Sequence, residues 1–69
     1  MLMKISYNKL WKQLIDKKIS HSDFRKNIGI APNTMTKLKR DEEVSMKILL
    51  KIAENLSCNI DDICQFVNE

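Results

Sequence analysis

A chain of 69 residues, 43% hydrophobic and 30% charged, with a net charge of +3, two cysteines and one histidine, has room for one domain over residues 1–69 and none for a separate sensor. No apolar run approaches a membrane span, residues 1–4 lack a signal-peptide core, and two cysteines are too few to frame a secreted mini-protein; a cytoplasmic protein with reduced thiols at Cys58 and Cys64 is expected. A domain this small draws only about 3–5 kcal/mol from its core, so a partner subunit is the expected support.

The modest net charge conceals a separation along the chain. Residues 1–40 carry ten Lys/Arg against Asp16 and Asp23, a net +8, whereas residues 41–69 carry two lysines against seven acids, a net −5. One half is suited to face a polyanion and the other is not.

Residues 1–6, apolar and β-branched, read as a short extended arm. From Tyr7 or Asn8 the pattern turns helical, with Leu10, Trp11, Leu14 and Ile15 on one face and Lys9, Lys12, Gln13 and Asp16 on the other. Lys17 and Lys18 close this first helix, where cations suit the dipole. Trp11 at that spacing is a core residue rather than a platform for stacking bases.

Residues 20–40, SHSDFRKNIGIAPNTMTKLKR, read as two short helices joined by a tight turn. Ser20 and Asp23 have the spacing of an N-cap and its helical acid. Phe24 and Ile28 share one face of the helix they open, and Gly29, the single glycine of the chain, ends it by taking the left-handed backbone that other residues resist. Ile30 returns to the core, and Ala31 opens the next helix with Pro32 at its first position, where the missing N–H costs nothing. Met35 and Leu38 are its buried stripe. Its outer face is Asn33, Thr34, Thr36, Lys37 and Lys39, followed by Arg40, with no acid from Lys26 to Met35. Amides and cations can donate to base edges, and hydroxyl and ammonium groups can reach phosphates, so this face suits a DNA major groove.

After the acidic run Asp41, Glu42 and Glu43, Ser45 is a second N-cap, and Leu49, Ile52, Ala53 and Leu56 recur at helical spacing to end a fourth helix near Asn55 or Leu56. Ile60, Ile63, Cys64 and Val67 repeat that spacing, with Asp61 and Asp62 suited to a helix N-terminus, and predict a short fifth helix in which Cys64 is a buried thiol. The expected fold is all-α, a compact five-helix bundle with a short N-terminal extended arm.

The register of Phe24, Ile28, Gly29, Ile30, Met35 and Leu38 resembles the helix-turn-helix of the Cro and phage-repressor class, the Xre family of transcriptional regulators, and the helical layout resembles its compact members over nearly the whole chain. The resemblance implies a five-helix phage-repressor-like DNA-binding domain without cofactor, bound to double-stranded DNA as a homodimer. Carried over by position, Pro32 (by contact), Asn33, Thr34 and Lys37 would read base edges; Thr36 would meet sugar or phosphate; and His21, Lys39 and Arg40 would hold the DNA backbone. At His21 the family often has glutamine, and a solvated histidine is the other reading. Two positions depart from the family pattern. Arg25 stands where a small residue is usual, so its stem must lean outward. The family often has a glycine after the second helix, where this chain runs Asp41, Glu42 and Glu43; those acids would repel DNA unless they turn away.

Catalysis has little footing: there is no nucleophile with a nearby base and no glycine-rich phosphate loop, and Asp61 and Asp62 diverge as neighbours on a helix. His21 has no second histidine or paired cysteine at metal-ligand spacing, so no metal site is expected. The rival reading is an antitoxin-like protein-interaction module whose acidic C-terminal half docks on another protein; RNA binding is disfavoured by the lack of aromatics free for stacking. A homodimer contact is expected on the fifth helix and tail, with the arm, through Phe66 and Val67. The alternative is that Phe66 folds back onto Leu10 or Trp11.

Overall fold

The computed structural model describes residues 2–68; Met1 of the expected arm and Glu69 of the acidic half lie outside the described residues. In chain order the elements are strand β1 (Met3–Ser6), helices α1 (Asn8–Asp16), α2 (His21–Ile28), α3 (Pro32–Lys39) and α4 (Met46–Leu56), a 3₁₀ turn (Ile60–Asp62) and strand β2 (Gln65–Asn68). β1 and β2 pair antiparallel, with Ile5 opposite Phe66 and Met3 opposite Asn68.

The expectation of five helices in an all-α fold is therefore corrected, among the described residues, to four helices and a two-stranded sheet. The 3₁₀ turn starts as a helix would: the Asn59 side chain accepts from the backbone of Asp62, and the Asp62 carboxylate accepts the Asn59 N–H at 3.3 Å. It does not propagate: Gln65, Phe66 and Val67 find a backbone partner in β1 instead. Ile63 is buried and Cys64 half-buried, whereas Ile60 and Phe66 are exposed. The suggestion that Phe66 folds back to close the monomer does not hold, for its side chain is 74% exposed.

The core joins Leu10 and Leu14 of α1, Phe24 of α2, Met35 and Leu38 of α3, and Leu49, Ile52 and Leu56 of α4, with Ile30 and Ile63 from the connections. Tyr7, which the apolar periodicity did not single out, is wholly buried among them. On α1 the buried stripe is narrower than expected: Ile15 lies one residue, about 100° of helix, past Leu14 and is exposed. The polar face of α1 is not free surface either. Lys9 Nζ donates to the Asp61 carbonyl (3.1 Å), Gln13 Nε2 to that of Asp62 (2.9 Å) and Lys17 Nζ to that of Leu56 (3.1 Å), so side chains four residues apart tie α1 to the far end of the chain.

All four helices end the same way, with a left-handed residue whose successor donates back to a carbonyl five residues earlier. The pairs are Lys18 with Ile19→Leu14 (2.9 Å), Gly29 with Ile30→Arg25 (3.4 Å), Asp41 with Glu42→Lys37 (2.9 Å) and Ser57 with Cys58→Ala53 (3.0 Å). Only one of these positions is the glycine that adopts the conformation freely; each of the others bears a cost on the order of 1 kcal/mol. After α1, α2 and α4 the following residue, Ile19, Ile30 or Cys58, is at least half-buried and helps to offset that cost. After α3 the following residue is the exposed Glu42, and the compensation comes from Tyr7.

Candidate nucleic-acid interface

The α2–α3 pair is set by local signals that were legible in the chain. Ser20 Oγ accepts the Asp23 N–H at 3.1 Å and caps α2; Gly29 ends it at φ 74°; Ala31 is the N-cap of α3 and Pro32 its first residue. Met35 and Leu38 are buried, which turns the opposite side of α3 to solvent. Pro32, Asn33, Thr36, Lys37, Lys39 and Arg40 are exposed there, and Thr34 is half-buried at the edge. The expected base-edge set and three of the four expected backbone residues thus share one helix and its C-terminal end.

The fourth, His21, sits apart at the first residue of α2. Its imidazole lies on Trp11, with ring centroids 4.8 Å apart at 34°, and Trp11 in turn meets Phe24 edge-on at 6.5 Å. Trp11 is half-buried between these rings, so its core reading stands; His21 itself is exposed, with its imidazole against the indole. Thr36 donates its hydroxyl to the Pro32 carbonyl at 3.1 Å, which leaves that oxygen only as an acceptor in this rotamer. Arg25 is half-buried, consistent with a stem that packs along α2 while its charge leads outward.

The acidic run resolves into three different environments. Asp41 adopts φ 57° in place of the usual glycine and points its carboxylate inward, where Oδ1 accepts the Tyr7 N–H at 3.1 Å. The Glu42 carbonyl accepts the Tyr7 phenol at 2.7 Å, and its carboxylate lies 4.0 Å from Arg40 in an exposed, weak ion pair. Glu43 is exposed. Burial above all, helped by Cys64 once it ionises and by the carboxylates of Asp41 and Glu43, pushes the Tyr7 phenol up to about 12. Tyr7 is the residue of this region that sequence reasoning missed. Its one signal was a polar aromatic at the junction of arm and helix, and nothing local identifies its partners more than thirty residues away.

Among the described residues no helix is long and apolar enough to cross a membrane. The family model of the Cro/C1-type HTH DNA-binding domain matches residues 9–69. The chain is also similar to a solved structure, the transcriptional regulator VanUg in crystal form II, with 40% identity over 100% of this chain and 92% of that one and a TM-score of 0.96. No curated protein matches it.

Proposed function

Because the chain belongs to the Cro/C1-type helix-turn-helix DNA-binding family, we propose that it is a cytoplasmic, non-enzymatic transcriptional regulator that binds double-stranded DNA sequence-specifically with α3 in the major groove. The observation that carries this reading is the outer face of α3: exposed amide, hydroxyl and cationic groups without an acid, beside a loop whose first acid is turned inward. Asn33 and Lys37 donate to base edges, Pro32 and Thr34 make closer apolar and hydroxyl contacts, and Thr36, Lys39, Arg40 and His21 lie along sugar and phosphate. The likeness to VanUg, itself a transcriptional regulator, supports the regulatory role.

One recognition helix reads few bases, and operators of this motif pair two half-sites about 34 Å apart, so the working form is a homodimer. The sheet supports that assembly. Met3 and Phe66 project on the same face, 60% and 74% exposed, and both strands keep an outer edge without a neighbour among the described residues. A second reading, an antitoxin-like protein partner on the acidic half, is favoured by the exposed Met46 and Leu50 of α4 and Ile60 of the 3₁₀ turn.

Selection of bound sites from a random duplex pool, followed by titration over a salt series, tests the proposal. A dimer that neutralises about eight phosphates has a slope of log K against log[salt] of roughly −7. Asn33→Ala and Lys37→Ala should each cost about 1–3 kcal/mol on the selected site and relax its specificity, whereas Arg40→Ala should weaken all duplexes alike. Absence of duplex binding at low salt would leave the protein-partner reading.

A further inference from the structure

Tyr7 has zero exposure and stands between β1 and α1; its carbonyl accepts from Leu10 and Trp11 of α1, yet its N–H and its phenol both donate into the loop that ends α3. Its N–H reaches the Asp41 carboxylate at 3.1 Å and its phenol the Glu42 carbonyl at 2.7 Å. Asp41 and Glu42, after Arg40, donate their own N–H groups back across the last turn of α3, onto the carbonyls of Leu38 (3.3 Å) and Lys37 (2.9 Å). One buried residue thus holds successive residues of a single helix terminus, Asp41 by its backbone N–H and Glu42 by its phenol, at a site where the backbone is left-handed without a glycine. A phenylalanine would fill the same space; the hydroxyl and its aim are surplus to packing.

From this we infer that Tyr7 is a positioning residue for the DNA contacts at the C-terminal end of α3, and that it keeps the Asp41 carboxylate off the phosphates. The inference rests on the reading of α3 as the recognition helix. Electrostatics gives the device its purpose. Lys37, Lys39 and Arg40 are followed directly by three acids, and at physiological salt charges interact over about 8 Å, so an Asp41 released to solvent would face the same phosphates as Arg40. With the clamp closed, Asp41 satisfies Tyr7 and Glu42 stays near Arg40.

Tyr7→Phe in the full chain keeps the ring and removes only the bond to Glu42. Two measurements are compared with wild type at a temperature where both are folded by circular dichroism. In the free protein, amide exchange of Asp41 and Glu42 should accelerate about tenfold beyond any change at Phe24 in α2. On the selected duplex, affinity should fall about tenfold, and the loss should couple to Arg40→Ala in a double-mutant cycle but add independently to His21→Ala. Unchanged exchange at Asp41 and Glu42 overturns the clamp whatever the DNA result; altered exchange with wild-type affinity, or coupling to His21 as strong as to Arg40, overturns its role in binding. Altered exchange in a protein whose wild type binds no duplex overturns the recognition-helix reading instead, and with it the functional half of this inference. Should Tyr7→Phe fail to fold, Asp41→Asn, which keeps the acceptor, should bind within threefold of wild type, and Asp41→Ala should not; equal binding by the two overturns the inference.

Discussion

The imidazole of His21 rests on the indole of Trp11, ring centroids 4.8 Å apart, at the N-terminal edge of α2. Trp11 is the single tryptophan of the chain, so it reports on the residue expected to meet a phosphate. Saturating duplex should change its emission in wild type, and His21→Ala should remove most of that change while weakening binding by about tenfold or more, the scale of one hydrogen bond to a charged group. An emission change of wild-type size in His21→Ala would place the imidazole away from the DNA.

Assembly through the sheet makes a separate prediction. Phe66 is exposed opposite Ile5, so Phe66→Glu adds a charge without opening the core. Sedimentation equilibrium at tens of micromolar should show a concentration-dependent dimer in wild type and a monomer in the variant, each with an unchanged helical spectrum. A dimer indifferent to the substitution would move the interface elsewhere, with the Met46 and Leu50 face of α4 the next surface to test.

Tyr7 ties stability to alkaline pH. Its phenol ionises near 10 in the unfolded chain and near 12 in the fold, so the folded state favours the neutral form. The resulting stability is fully present below pH 10 and is lost as pH rises through 12, by about 2–3 kcal/mol in all. Denaturant titrations across that window should show the loss in wild type and a flatter profile in Tyr7→Phe. Because Tyr7 is the single tyrosine, ultraviolet absorbance should register phenolate in the folded protein only as pH approaches 12. A reversible titration near pH 10 in folded protein would contradict its burial.

The helix ends separate backbone strain from side-chain chemistry. A Cβ at Gly29 would meet no atom within 4 Å, so Gly29→Ala should cost only the left-handed backbone penalty, about 1 kcal/mol. Lys18→Gly relieves the same strain at an exposed site and should be neutral or stabilising by a few tenths of a kcal/mol, less than the strain itself because the unfolded chain also gains freedom. Asp41→Gly relieves strain too but orphans the Tyr7 N–H, so it should destabilise by about 1–2 kcal/mol. Chemical denaturation of the three variants gives the order; a stabilising Asp41→Gly would mean that the carboxylate contributes nothing.

Most of what depended on neighbours within about four residues was legible in the chain itself, the exposure of Ile15 being an exception. Ser20 and Ser45 as caps, Gly29 as terminator, Pro32 at the head of α3 and the burial of Phe24, Met35 and Leu38 follow from spacing and backbone chemistry, because helix starts, stops and stripes are local. The polar outer face of α3 followed by subtraction. What the sequence could not decide was every choice between two locally acceptable outcomes. The spacing of Ile60, Ile63, Cys64 and Val67 fits a helix, but the segment starts as a 3₁₀ turn and, beside β1, continues as a strand over Gln65–Asn68. Asp41 reads as one more acid near DNA until Tyr7, 34 positions away, offers it an N–H. Lys9 and Lys17 count toward the basic half of the chain, yet folding spends both on backbone carbonyls of the acidic half. In each case the deciding partner is distant in sequence, and a hydrogen bond to a distant group leaves no periodicity behind.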